Sequence, residues 1–592
     1  MTDTRLLEEA IAALGDNQEQ LGAVNAKGHC VVLAGPGSGK TKTLTTAMVR
    51  TLIEDVLEPR GIACITYNNE CVLELQERLA KLGIEENRYV FIGTVHSFAF
   101  TQILLPYARC AMPELTDARP ATDAERRGAV ERAFAKTIGG PGNPHERWKF
   151  AAEKRRDQVD RDAPEWANNP ELVAFVEAYE ADLHGQGLVD FDDMPLLAYR
   201  LVKQHQWIRN AVRAKYPVLF VDEYQDLGHA LHELVLLLCF GAGIRLFAVG
   251  DADQSMYGFQ GAAPELLKSL SERDDVIPIR LRFNYRSGTR IIAASLAALG
   301  EARDYQGRPN AGIGTVDFHG VAGDLDTQAD YVFKKLLPPI MAAGTPLSEI
   351  AILYRTVKQS NSLALAAAVG GVPIVRADNN ALVKRSLRLS RFLERAAAWQ
   401  SGGWKSADPP FLDLAREASS LVYGSDASNL ERADIRDELM RFLHKGIGTD
   451  PDAHKWLQNF EDEVGTSWRA RARNPMGDWS GLDRMRERTD PETGDIHIPL
   501  STFAGWVEGE GRLTLSTLHS AKGREWDVVI LFAMNADVIP HYYDKTVGQK
   551  LEARRQFYVG VTRPRKALHI VYQEGNHSPF VAEVYQRLQA SG

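Results

Sequence analysis

The residues Ala34-Gly35-Pro36-Gly37-Ser38-Gly39-Lys40-Thr41 restrict what this chain can fold into more than any other stretch. Before them, His29-Cys30-Val31-Val32-Leu33 is short, apolar and rich in β-branched residues, and reads as a buried strand. After them, Leu44-Thr45-Thr46-Ala47-Met48-Val49 reads as a helix. A strand, a glycine-rich loop ending in Gly-Lys-Thr and a helix make a turn built to hold phosphate. Glycines let the backbone approach the anion, and the helix N-terminus adds free amides and the positive end of its dipole. Lys40 is placed to reach the β- and γ-phosphates of a nucleoside triphosphate, and Thr41 to ligate Mg²⁺. Lys42 follows at the same helix start and is grouped with the nucleotide site. The strict pattern has glycine where Ala34 stands; the other positions fit.

The chain of 592 residues is long enough for about four domains of ordinary size. Its 44% hydrophobic and 25% charged content is that of a globular protein. A net charge of −9 supplies no global basic field, so a polyanionic partner needs a local groove. The five cysteines are scattered with no CxxC pair, which points to a reducing compartment and away from a zinc or iron–sulfur site. No apolar run approaches membrane-spanning length, and Met1 to Glu9 is too acidic for a signal peptide. A cytoplasmic, multidomain protein with no membrane partner is expected.

Further strands alternate with helical stretches. Gly61 to Thr66 runs into Tyr67-Asn68-Asn69, and Tyr89 to Thr94 into Val95-His96-Ser97-Phe98. This alternation implies a parallel α/β sheet with functional loops at the strand C-termini. Tyr216 to Val221 ends in Asp222-Glu223, an acidic pair with a definite chemistry beside a phosphate loop. Asp222 holds Mg²⁺ through water, and Glu223 orients and deprotonates the attacking water. Leu246 to Val249 leads to Gly250-Asp251-Ala252-Asp253-Gln254, where Gln254 is placed to sense the γ-phosphate. Gln20, about twenty residues before Lys40, offers adenine a donor and an acceptor. Asn284-Tyr285-Arg286 supplies an aromatic face and a phosphate-binding arginine. Between about 102 and 188 the texture is charged, Ala-rich and helical, broken at Gly139 to Gly142, and reads as an inserted helical subdomain. Its charge run, Glu146 to Arg161, reads as a solvated helix face. Asp190-Phe191-Asp192-Asp193 returns the chain to the core.

With Thr517 to Trp526 and Glu552 to Arg563, these motifs follow one another in order from near residue 20 to near residue 563. In that order and spacing the chain resembles a superfamily 1 helicase of the UvrD/Rep/PcrA type. The resemblance implies an α/β fold with two RecA-like P-loop NTPase domains, each a parallel sheet flanked by helices and each carrying a mainly helical insertion. The implied segments are 1–103 and 190–281 for the first domain, with an insertion at 104–189. The second domain comprises 282–380 and 504–592, with a reduced insertion at 381–503.

ATP and Mg²⁺ are the implied cofactors, with ATP held between the domains. The implied catalytic residues are Lys40, Glu223 and Gln254 from the first domain and Arg286 and Arg563, as arginine fingers, from the second. Such a finger is worth about 10³–10⁵ in rate. Besides the loop residues Ala34 to Lys42, the nucleotide would touch Gln20, Tyr285, which stacks on adenine, and Glu525, which meets the ribose. Metal ligands would be Thr41 and Asp222. Single-stranded DNA would meet Tyr67, Phe191, Tyr257 and Phe259 at its bases, and Thr94, His96, Thr517 and His519 along its backbone, with Asn69 beside them. Stacking suits a motor that ignores sequence, because every base has a π-face. The usual direction of the family is 3′-to-5′.

The chain departs from the family at several points. Phe259-Gln260 stands where relatives have Trp-Arg. After Ala567 to Tyr572, only Gln573 to His577 precedes Ser578-Pro579-Phe580, so the hairpin that separates strands in relatives is shortened. Within the reduced insertion, Lys445-Gly446-Ile447-Gly448 resembles a loop that grips duplex backbone, and otherwise reads as an ordinary helix–turn. Lys384, Arg388, Arg391 and Arg395 fall on one helix face, as phosphate contacts or as a solvated stripe. The sequence stops soon after Phe580, so neither a tail nor a fused nuclease domain is expected. Two functions are therefore carried forward. One is a helicase or translocase acting on single strands and single-strand/duplex junctions, working with a repair or nuclease partner. The other is a DNA-stimulated ATPase that senses DNA and regulates a partner nuclease, with little unwinding of its own.

Overall fold

The apolar runs ahead of each motif become parallel strands. A computed structural model describes residues 4–590 apart from 16, 85, 86, 88, 257, 259, 260, 379, 380, 385, 386, 425, 426, 473–478, 495 and 506–510. The chain divides into two units: Met1–Ala34 with Gly39–Leu281, and Gly35–Ser38 with Arg282–Gly592.

In the first unit the strands are β1 (His29–Ala34), β2 (Ile62–Thr66), β3 (Val90–Thr94), β4 (Val218–Val221), β5 (Arg245–Gly250) and β6 (Val276–Leu281). They lie in the order β3-β2-β4-β5-β1-β6, each pair parallel. Every residue of β2 and β4 is buried, which is why both read as unbroken apolar runs. The register sets Leu33 against Gly250, Val221 against Ala248, Ile65 against Val221 and Thr66 against Thr94. The loops after β1, β5, β4, β2 and β3 therefore leave the sheet side by side, in that order, along one edge.

Helix α1 (Lys40–Glu54) follows the phosphate loop and buries Thr43 to Thr51. Its N-cap, Gly39, sits at φ +82°, and a Cβ there would meet the Gln20 amide nitrogen at 2.5 Å. Both facts demand glycine.

The inserted helices α2 (Asp123–Thr137), α3 (Pro144–Asp157) and α4 (Pro170–His184) pack around Val130, Phe134, Phe175, Tyr179 and Leu183. The run Glu146 to Arg161 is not simply a solvated face: Arg155 is fully buried. Helix α4 and the Asp190–Asp193 turn bring three carboxylates to it, a convergence that helical spacing within the run does not reveal.

The second unit repeats the plan with β7 (Thr315–Val321), β8 (Ile350–Tyr354), β9 (Ile374–Arg376), β10 (Leu513–Thr517), β11 (Trp526–Leu531) and β12 (Pro564–Gln573). Their order is β7-β12-β11-β8-β10-β9, again all parallel. The expected α/β class, with two parallel sheets flanked by helices, is the one observed. Between β9 and β10 lies a helical segment with its own core of Phe392, Trp456, Phe460, Trp468 and Phe503. Of the basic residues flagged in this segment, Arg388 donates to the Ser420 hydroxyl at 2.9 Å and Arg395 pairs with Glu417. Lys445 closes the helix Asn429–Lys445 and pairs with Glu463 at 2.6 Å. Beyond β12 the chain turns at Gly575 (φ +76°) directly into the helix Pro579–Ala590.

Candidate nucleotide and nucleic-acid sites

The first sheet gathers the residues expected at a triphosphate at one end of its loop edge. Ala34 ends β1, and the Ser38 hydroxyl donates back to the Gly35 carbonyl at 2.7 Å, closing the loop around Pro36 and Gly37. Lys40 opens α1 with its ammonium 3.6 Å from Asp251, a carboxylate that is 1% exposed. Gln254 donates to the same carboxylate at 2.6 Å, so its amide is held beside the lysine. Gln225 links the neighbouring loops: its side-chain carbonyl accepts from the Asp251 amide at 2.8 Å, while its NH₂ donates to Glu223. Glu223 itself is held at φ +50°, ψ +44°, a left-handed conformation that non-glycine residues rarely adopt. Gln20 is buried, and its backbone amide is capped by Asn17 at 3.0 Å. Lys42 points elsewhere: its ammonium donates to the Ala13 carbonyl at 2.5 Å.

The charge balance of this edge fits a divalent cation. Asp222 is buried, and burial together with the adjacent Glu223 charge raises its carboxyl well above the ordinary range. Burial likewise raises Asp251, although Lys40 opposes the shift. A magnesium ion held by Asp222 and Thr41 would favour the ionised form of Asp222, which burial and the Glu223 charge here disfavour.

The next two loops carry aromatic groups. Tyr67, after β2, meets His96 edge-on at 6.4 Å, and His96 meets Phe191 edge-on at 6.0 Å. Phe191 is 53% exposed, while burial lowers His96 to about 4 and keeps its ring neutral. These three rings line a cavity of about 500 Å³ with Arg126 and Arg156 from α2 and α3. Thr94 caps the turn that presents His96, accepting from the Ser97 amide at 3.1 Å. Asn69 is the first residue of the helix Asn69–Lys81, whose cap is Asn68. Tyr257, Phe259 and Gln260 lie outside the described residues.

In the second unit the candidate residues occupy opposite ends of the sheet. Arg286 donates to Glu525 at 2.5 Å and to the Thr562 carbonyl at 3.3 Å. Glu525 precedes β11 and Arg563 precedes β12, so this group sits at the N-terminal edge. Arg563 is 2% exposed; it donates to the carbonyls of Val559 (3.0 Å) and Arg524 (3.3 Å) and to the Thr562 hydroxyl (2.9 Å). Tyr285 is 39% exposed. Thr517, by contrast, ends β10 at the C-terminal edge and bonds Ser520 at 3.0 Å. His519 follows it, lowered by burial and by Arg355, with its ring against Gln556 at 3.1 Å.

Residue patterns alone do not pick out Asp251, Gln225 or Arg565. Arg565 pairs with Asp527 at 2.7 Å and Glu525 at 3.4 Å, and so helps fix the acid that faces Arg286. Asp251 follows a strand directly, as Asp222 does, and that position is the one signal the sequence holds for it.

Residues 16–274 match the UvrD/REP helicase N-terminal domain, and residues 506–575 match the UvrD-like helicase C-terminal domain. The chain is similar to ATP-dependent DNA helicase Rep of Escherichia coli (strain K12), at 26% identity over 91% of this chain and 88% of the relative. It is similar to ATP-dependent DNA helicase PcrA of Leuconostoc citreum at 26% identity, covering 98% and 83%. DNA helicase II of Escherichia coli (strain K12) is 25% identical, covering 96% and 86%.

Proposed function

This chain belongs to the UvrD-like helicase family, and from that premise we propose that it is an ATP-dependent DNA helicase that translocates 3′-to-5′ along single-stranded DNA. The observation that carries this reading is the strand register of the first sheet. It sets Lys40, Asp251, Asp222 and Glu223, the residues proposed for hydrolysis, and Tyr67 and His96 on adjacent loops of one edge, with Phe191 ring-to-ring against His96. Of the first group, the Glu223 loop is the one next to the Tyr67 loop, because β4 pairs directly with β2.

Lys40 neutralises the β- and γ-phosphates, Glu223 takes the proton of the attacking water, and Gln254 registers the γ-phosphate. Thr41 and Asp222 hold Mg²⁺, which when bound shields the charge of the phosphate oxygens. Gln20, Tyr285 and Glu525 bind the nucleoside, and the second unit supplies Arg286 and Arg563. DNA stacks on Tyr67 and Phe191, joined by Tyr257 and Phe259, and its backbone runs past Asn69, Thr94, His96, Thr517 and His519. No helix among the described residues is long and apolar enough to cross a membrane.

A second reading is favoured by one observation: β12 passes straight into the last helix, with no strand-separating hairpin between them. In that reading the chain senses single strands and junctions and regulates a partner nuclease or repair protein. Single-strand translocation and forked-duplex unwinding, measured side by side with Glu223→Gln as the hydrolysis-dead control, test both. Stimulated hydrolysis with translocation but no unwinding favours the sensor; hydrolysis indifferent to single strands sinks both.

A further inference from the structure

We propose that Arg155, on the inserted helix α3, is a positioning residue for DNA binding: it pins the Asp190–Asp193 turn and so holds Phe191 outward as a platform for a base. Phe191 is 53% exposed between carboxylates that are almost fully buried, Asp190 at 6% and Asp193 at 1%. An apolar ring in that situation tucks inward unless its turn is fixed. The turn is clamped reciprocally: the Asp190 amide donates to the Asp193 carboxylate at 3.0 Å, and the Asp193 amide to the Asp190 carboxylate at 2.8 Å. Two buried acids so close repel each other and require a cation.

Arg155 is that cation, and it comes from the insertion. Its guanidinium donates to Asp190 at 2.8 Å, to Asp193, and to Glu180 of α4 at 2.8 Å. The planar fork thus ties two inserted helices to the turn, a geometry that a lysine's point charge does not reproduce. From α4, the Tyr179 hydroxyl donates to Asp190 at 2.7 Å, and His184 lies 3.1 Å from Asp193. The adjacent Arg156 faces the other way; it lies 3.5 Å from Asp192 and lines the cavity beside Tyr67, His96 and Phe191. Neighbouring arginines thus divide the work, one buried as an anchor and one open to the cavity.

The inference rests on the reading that Phe191 stacks on a base, and the test separates the two. The full chain is titrated with an oligothymidylate carrying one 2-aminopurine, following probe fluorescence, ATPase stimulation and thermal unfolding. Variants are Phe191→Ala, Arg155→Lys, Tyr179→Phe and the double variant Arg155→Lys/Phe191→Ala. Arg155→Lys is expected to raise the strand concentration for half-maximal stimulation about 5- to 20-fold, within the range of one lost stacking contact. Tyr179→Phe, which removes only one support and carries the test if the lysine variant does not fold, is expected to raise it about 2- to 5-fold. Neither is expected to change hydrolysis without DNA. The double variant should be no weaker than Phe191→Ala alone, because both changes remove one contact. If Phe191→Ala gives the probe fluorescence change and the binding of the parent, the platform reading itself fails. If Phe191→Ala is impaired but folded Arg155→Lys and Tyr179→Phe match the parent, or if the double variant is additive, the positioning role is overturned.

Discussion

Replacing Arg286 and Arg563 by alanine is expected to give equal losses of turnover and unequal losses of stability. If each arginine neutralises charge on the transferred phosphoryl group, removing either lowers kcat about 10³–10⁵-fold, or about 4–7 kcal/mol of transition-state stabilisation. Their ground-state surroundings differ. Arg286 has one ion pair to Glu525, which is 41% exposed, so solvent screening leaves that pair worth about 1 kcal/mol or less. Arg563 is 2% exposed and donates to the Val559 and Arg524 carbonyls and to the Thr562 hydroxyl. The Val559 carbonyl keeps the Thr562 amide and hydroxyl, so the loss falls on the Arg524 carbonyl and on the cavity left by the buried side chain, and Arg563→Ala is expected to lose about 2–4 kcal/mol. Steady-state ATPase at saturating single strands, read beside thermal unfolding, separates the effects. Arg286→Ala should melt like the parent and scarcely turn over, whereas Arg563→Ala should melt early as well. A folded Arg286→Ala that hydrolyses ATP within about tenfold of the parent would refute the assignment, because a phosphoryl-neutralising arginine cannot be lost so lightly.

Glu223→Gln should keep the left-handed turn and the Gln225 contact, bind ATP normally and hydrolyse it about 10²–10⁴-fold more slowly in single-turnover assays. Removing divalent cations with a chelator should abolish hydrolysis, and added Mg²⁺ should restore it; activity that survives chelation would contradict the roles of Asp222 and Thr41. Acid should destabilise the first unit partly through His232, which burial first, then His229 and Arg273, lower from 6.5 to about 4. The folded state resists protonation while the unfolded state accepts it, so this stability is present above about pH 6.5 and is lost as pH falls toward 4. The displacement is worth about 3 kcal/mol. His232→Gln should flatten the fall of Tm over that window, and an unchanged slope would remove His232 from the account.

Motifs whose residues lie within a few positions of one another are legible in the sequence itself. The phosphate loop, Asp222-Glu223 and the buried strands ahead of them depend on local backbone geometry and on burial of both sheet faces, and both leave letters in the sequence. The family resemblance extends that reading to residues far apart in the chain, among them Gln20 and Arg563. What stays hidden depends on which strands lie beside which. Asp251 becomes Lys40's partner only because β5 pairs with β1, and Gln225 links two loops only because β4 pairs with β5.

Arg155 shows the limit most clearly. In the sequence it is one charge in a charged helical run, with nothing to distinguish it from Arg156. Only the packing of α3 against α4 and the Asp190–Asp193 turn buries one arginine among three carboxylates and leaves its neighbour open. In the same way, nothing in the spacing of Thr517, Glu525 and Arg563 discloses that the first lies at one end of a parallel sheet and the other two at the opposite end. Local chemistry is written in residue type and short spacing; the surroundings of a charge are set by segments distant in the chain, and those surroundings decide what each charge does.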